Sequence, residues 1–175
     1  IISSGLREII EGTAIAKDFT HIYASSFYYN EHGEPCWPAQ VINYTNKTQF
    51  LFRIEKGILD INDNAVNDHF AEGELRVPFR NIVYIGDSAT DIPCMRLVNS
   101  LGGHSVGVYD LGNTASKDTV RRMIRDERIR YYVPADYTKG SEMDILIHRI
   151  IDKTAAYEVL EEKHLRDRKE SVGFK

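Results

Sequence analysis

Asn81-Ile82-Val83-Tyr84-Ile85 is apolar almost throughout and runs straight into Gly86-Asp87. A run without polar alternation is what a strand buried on both faces looks like, and such strands belong to parallel sheets covered by helices. The rest of the chain repeats the theme, with short β-rich runs separated by stretches whose apolar residues recur at helical spacing. The pattern predicts an α/β fold on a doubly wound parallel sheet with a β-hairpin insertion. One domain over residues 1–175 is expected, long enough to bury a core of its own.

Ile1-Ile2 reads as the end of a strand, followed by a helix over 5–17 with Leu6, Ile9, Ile10 and Ile15 inward. A strand is predicted at His21–Ser26. A hairpin follows over Phe27–Tyr44, turning at Asn30–Gly33 and tolerating Pro35 and Pro38 at an edge. Asn46 is placed to cap a helix ending near Gly57. Residues 60–79 are acidic and weakly periodic, so a surface loop with one helical turn is expected. A helix over Asp91–Leu101, stopped by Gly102-Gly103, comes next. Then come a strand at His104–Tyr109, a helix at Thr114–Arg125 and a strand at Ile129–Val133. The final helix starts near Ser141 and reaches at least Lys163, with Ile147, Ile150, Ile151 and Ala155 inward.

Composition removes several function classes. The net charge of −4 leaves no broad basic surface, so no nucleic-acid partner is expected. The arginines at 121, 122, 125, 128 and 130 alternate with Asp118, Asp126 and Glu127, as on a solvated helix face. No apolar run approaches membrane-spanning length, so no membrane partner is expected either. Cys36 and Cys94 lack CxxC spacing, which points to a reducing cytoplasm. The six histidines show neither HxH nor HxxxH spacing, which argues against zinc. Tyr28, Tyr29, Trp37 and Tyr44 read as alternating hairpin residues that cover the core.

Ligands of open parallel sheets gather at the carboxyl ends of the strands. Three features are predicted there. Ser3-Ser4-Gly5 sits where a strand gives way to a helix, so a hydroxyl and free N–H groups would form an anion cradle; simple N-capping explains the same serine. Asp87 and Asp91 flank Ser88-Ala89-Thr90, and two carboxylates over a strand end suit a hard cation such as Mg²⁺. A turn residue and a helix cap are the plainer account of that pair. Lys47, at a predicted helix start, is disfavoured by the helix dipole and implies a compensating anion nearby, although a solvated surface lysine is the simpler alternative.

In order along the chain, these residues resemble the haloacid dehalogenase (HAD) superfamily of Mg²⁺-dependent phosphohydrolases. Ile1-Ile2-Ser3 is similar to its second motif, Lys47 to its third, and Gly86-Asp87-Ser88-Ala89-Thr90-Asp91 to its fourth, GDxxxD. The hairpin is similar to one in phosphoserine-phosphatase-like members, although those tend to read GDGxND where this chain has Gly86–Asp91. The resemblance implies a small phosphorylated substrate. It implies phosphate binding by Ser3, Ser4, Gly5 and Lys47, and Mg²⁺ on Asp87, with Asp91 either a ligand or orienting a bound water. The first motif, DxDx[TV], with its nucleophilic aspartate, occurs nowhere in these 175 residues. The resemblance therefore implies that the N-terminal remainder of the same protein carries that strand and a cap. The strand would lie between those ending at Ser3 and Ile85.

Two rival readings remain. Gly86-Asp87-Ser88 also spells the GDS of SGNH-type esterases, with Ser88 as nucleophile. The DxxH expected after such a serine is found only before it, at Asp18–His21. A non-catalytic fragment that binds phosphate or Mg²⁺ is the second alternative.

Overall fold

A computed structural model describes residues 1–173. The first sheet contains β1 (Ile2–Leu6), β2 (Tyr23–Tyr29) and β3 (Pro35–Gln40); the second contains β4 (Val83–Gly86), β5 (His104–Tyr109) and β6 (Tyr131–Pro134). The helices are α1 (Arg7–Glu11), α2 (Thr48–Lys56), α3 (Ile92–Ser100), α4 (Thr114–Arg125) and α5 (Glu142–Gly173). The chain is thus mixed α/β, with one sheet parallel throughout. No described helix is long and apolar enough to cross a membrane.

The second sheet carries the core. β4 pairs with β5 from Val83↔His104 to Gly86↔Gly107, and β5 with β6 from Val106↔Tyr131 to Tyr109↔Pro134. Alternation along the strands sends Ile82, Tyr84 and Tyr109 against Cys94, Met95 and Val98 of α3 and Val120 and Met123 of α4. It sends Val83, Val106, Val108 and Val133 the other way, against Met143, Leu146, Ile147 and Ile150 of α5. Helices cover both faces of this sheet, and every residue of β5 is buried. The predicted bounds of β5 and α4 coincide with the observed ones.

The first sheet departs further from expectation. The strand predicted at 21–26 and the first hairpin strand are one strand, β2. No turn residue interrupts Ser26-Phe27; the lower half of β2 pairs in parallel with β1 (Ile2↔Tyr23) and the upper half antiparallel with β3 (Tyr28↔Trp37). The turn sits where predicted: the Asn30 Oδ1 accepts from the N–H groups of His32 and Glu34, and Gly33 supplies a φ of +76°. Tyr28, Trp37 and Tyr44 do not cover the core but stand in solvent, Tyr28 and Trp37 packed only against each other as a cross-strand aromatic pair.

Three helices also need correction. The first begins at Arg7, not Gly5, and ends at Glu11, capped by Gly12, not at Lys17. A helix of five residues is too short to bury a stripe, so Ile9 is 69% exposed and Ile15 is exposed as well. In α5 the buried stripe is Met143 to Ile150; Ile151 lies about 100° round from Ile150 and, like Ala155, faces solvent. In α2 the cap position is Lys47, and Asn46 instead braces the preceding turn, accepting from Asn43 N and donating to the Val41 carbonyl. Gly57, at φ +76°, ends α2 in the left-handed conformation, with its N–H on Arg53 O and Ile54 O.

Residues 60–79 form a loop with short 3₁₀ turns at Asn64–Asn67 and Glu72–Glu74, and a further turn follows at Phe79–Asn81. Arg53, buried, donates to the carbonyls of Asp60, Ile61 and Asp63 at 2.7–3.1 Å. Lys56 holds those of Val66 and Asp68.

β4 was expected to be buried on both faces, yet Ile85 is 41% exposed. The reason is topological. β4 pairs only with β5, and β1 only with β2, so the two sheets do not join. Between them lies a cleft of about 1020 Å³.

Candidate functional site

Ser3, Ser4, Gly5, Lys47, Asp87 and Asp91 all line this cleft. They come from the body of β1, the entry to α2 and the segment after β4, so the fold gathers these six residues into one place.

Lys47 and Asp91 form its buried centre. Lys47 is 5% exposed and Asp91 6%, and the ammonium donates to Asp91 Oδ1 at 2.7 Å. Asp91 is therefore the compensating anion that a lysine at a helix start requires. The same oxygen accepts from the Tyr84 hydroxyl at 2.9 Å, and Oδ2 accepts from Ser88 Oγ at 3.1 Å. Burial, reinforced by the Asp91 carboxylate, pushes the Tyr84 phenol far above its ordinary range, so it stays a donor. Burial likewise raises the neighbouring Cys94 thiol. Gly86 makes room for this packing: a Cβ there would lie 2.8 Å from the Cβ, Cγ and Oδ2 atoms of Asp91.

Asp87 differs. It is exposed, lines the cleft and has no hydrogen-bond or ion-pair partner among the described residues. The two carboxylates are thus not equivalent: Asp91 is spent on Lys47, Tyr84 and Ser88, and Asp87 is open. Among the described residues no group of three or more His, Cys, Asp or Glu side chains converges. The donor chemistry still fits a magnesium ion, which binds through one or two carboxylates and completes its shell with water and phosphate oxygens. Asp87 is the carboxylate that could hold such an ion.

Ser3-Ser4-Gly5 lies inside β1 and not at a helix start, so the expected cradle of free helix N–H groups is absent. The Gly5 N–H instead donates to Ser3 Oγ at 3.0 Å. This leaves the Ser3 O–H proton available to a ligand in the cleft.

Tyr84 had no signal apart from its place in an apolar run. Asp110, Asn113 and Ser116 also line the cleft and were missed, although Asp110 directly follows β5 and the strand-end rule points to it. Their loop is braced internally, with Ser116 Oγ accepting from Asp110 N and Asn113 Oδ1 from Ser116 N. Tyr137, in the loop after β6, also lines the cleft. Ser88 bonds Thr90 Oγ1 and Asp91, and no histidine lines the cleft among the described residues, so an esterase nucleophile lacks its base here.

An uncharacterized protein of Borreliella burgdorferi is 24% identical over 157 residues, covering 82% of this chain and 53% of that protein. The chain thus spans about half the length of the relative it matches. No protein-family profile matches the chain, and no solved structure does.

Proposed function

We propose that this chain forms most of the catalytic domain of a HAD-type, Mg²⁺-dependent phosphohydrolase acting on a small phosphorylated compound. The nucleophilic aspartate, carried outside residues 1–175, would form an aspartyl-phosphate that water hydrolyses. One observation supports the reading most: residues from three separated segments meet in one cleft between β1 and the carboxyl end of β4.

In this reading the Ser3 hydroxyl, oriented by the Gly5 N–H, donates to a phosphoryl oxygen. Lys47 has three N–H donors, of which Asp91 takes one, and the others serve phosphate and nucleophile. Asp91, fixed by Tyr84 and Ser88, would act through Lys47 and by orienting a bound water, the second of its two expected roles. Asp87 holds the metal, which when bound supplies charge neutralisation between carboxylate and phosphate. Positioning and charge neutralisation are most of what phosphoryl transfer requires. Cys36 and Cys94 are both free, which favours a reducing compartment such as the cytoplasm.

The competing reading is a phosphate- or Mg²⁺-binding protein without turnover. It is favoured by the lack of a DxDx[TV] sequence in these residues. The two part on hydrolysis of p-nitrophenyl phosphate by the complete protein. Turnover that needs Mg²⁺, stops with EDTA and is abolished in Asp87→Asn is expected. Ser3→Ala should cost about 3–4 kcal/mol of transition-state stabilisation if the hydroxyl acts like one oxyanion-hole donor, and Ser88→Ala much less. Full activity in Asp87→Asn, or in the presence of EDTA, overturns the proposal.

A further inference from the structure

We propose that a second cavity, at the amino-terminal end of the parallel sheet, binds a small monocarboxylate with an apolar body. It lies at the opposite end of β4 and β5 from Asp87 and does not depend on the phosphohydrolase reading.

Strand and helix change character there together. Alternation along β5 puts His104 on the face of Val106 and Val108, the face that α5 covers. Its ring lies nearly parallel to that of Tyr131, with centroids 6.1 Å apart. On α5 the apolar stripe against this face runs from Met143 to Ile150. Continued at helical spacing, it passes to Lys153, Thr154 and Tyr157. The core between the two layers thus ends in polar side chains, and these do not satisfy one another. His104 is 1% exposed, and its Nδ1 is buried without a hydrogen-bond partner. Lys153 has no carboxylate within ion-pair distance among the described residues. His104, Lys153, Thr154, Tyr157, Arg80 and Leu101 line a cavity of about 340 Å³, a volume at the small end of ligand sites. A buried polar atom in a folded protein is ordinarily paired with protein, ordered water or a ligand. Here the protein does not supply the partner.

The charges select the ligand. Arg80 is already neutralised, with its Nε and Nη2 donating to Glu158 at 2.8 and 3.4 Å and its Nη1 to Glu72 at 2.8 Å. Lys153 is therefore the open cation of the wall. A single negative charge meets it without crowding the two glutamates, whereas a phosphate monoester, with a charge of about −1.5 to −2, is repelled by them. Burial first, then the charges of Lys153 and Arg130, holds the His104 imidazole below its ordinary range. The neutral ring offers a hydrogen bond and adds no charge. Leu101 and the Tyr157 ring, with the Arg80 guanidinium 5.7 Å above it, are surfaces for an aryl or branched alkyl group.

Benzoate and isovalerate represent the two bodies, and calorimetric titration into the complete protein tests both. At least one should bind saturably with a Kd below about 1 mM. Inorganic phosphate and the neutral benzyl alcohol should bind at least about tenfold more weakly. Lys153→Met, at an exposed position, should leave the Tm unchanged and weaken carboxylate binding at least about tenfold. In protein with nitrogen-15-labelled histidine, the ligand should move the ring resonances of His104 and leave those of His21 in place. His104→Phe keeps the stack on Tyr131 and should also weaken binding; if that variant unfolds, the resonance shift decides. Saturable binding of neither carboxylate overturns the proposal. So does affinity that Lys153→Met leaves unchanged, phosphate binding as tight as that of the carboxylates, or binding to which the His104 resonances do not respond.

Discussion

The two sheets are equal in strand number and opposite in character. In β4–β5–β6 all pairing is parallel, helices lie on both faces and the central strand is fully buried. In β1–β2–β3 only the lower part of β2 is buried, β3 is exposed along nearly its whole length, and α1 buries nothing. The first is a core with the candidate site on its rim. The second is a lightly packed wing whose contribution is position: it brings Ser3 opposite Asp87. Stability should therefore concentrate on the β4 side and on the buried Lys47–Asp91 pair that ties α2 to it.

Lys47→Met should have the largest effect. Removing one member of a buried pair leaves an uncompensated charge and costs about 3–5 kcal/mol, a large part of the roughly 5–15 kcal/mol that holds a domain together. Urea unfolding would show it as a fall in midpoint; a change below about 1 kcal/mol would mean that Asp91 finds water and that the pair is no keystone. Tyr84→Phe removes one hydrogen bond to the same carboxylate and should cost about 1.5–3 kcal/mol. Gly86→Ala forces a Cβ against Asp91 and should cost about 1–3 kcal/mol through displacement of that side chain. On the wing, Trp37 pairs across the hairpin with Tyr28 yet is 62% exposed. Trp37→Ala should stay within about 0.5 kcal/mol. A loss as large as that of Gly86→Ala would erase the contrast between the two regions.

The same contrast explains what was legible. β5, α3 and α4 were readable because helices on both faces leave a run of apolar residues in the strands and a clean stripe on each helix. Asp87 and Asp91 were readable as a pair because the strand end that positions them was readable. Their inequality was not, since it depends on Lys47 and Tyr84 arriving from elsewhere in space. α1 misleads because apolar residues at helical spacing predict an inward face: Ile9 points to solvent, and Ile15 lies beyond the end of the short helix. Ile85 misled for a related reason, in that its sequence suits a central strand and its described neighbours leave it at an edge. Arg53 gave no signal, because a buried guanidinium bound to three carbonyls looks, in sequence, like any exposed arginine on a helix.

That guanidinium has a practical consequence. Its partners are the carbonyl dipoles of Asp60, Ile61 and Asp63, and no carboxylate lies within ion-pair distance among the described residues. Mobile ions weaken exposed pairs such as Lys163–Asp167 but have little access to a buried ion–dipole contact. Raising the salt to about 1 M, where the screening length falls to about 3 Å, should loosen the surface of α5 and leave the 60–79 loop as resistant to protease as before.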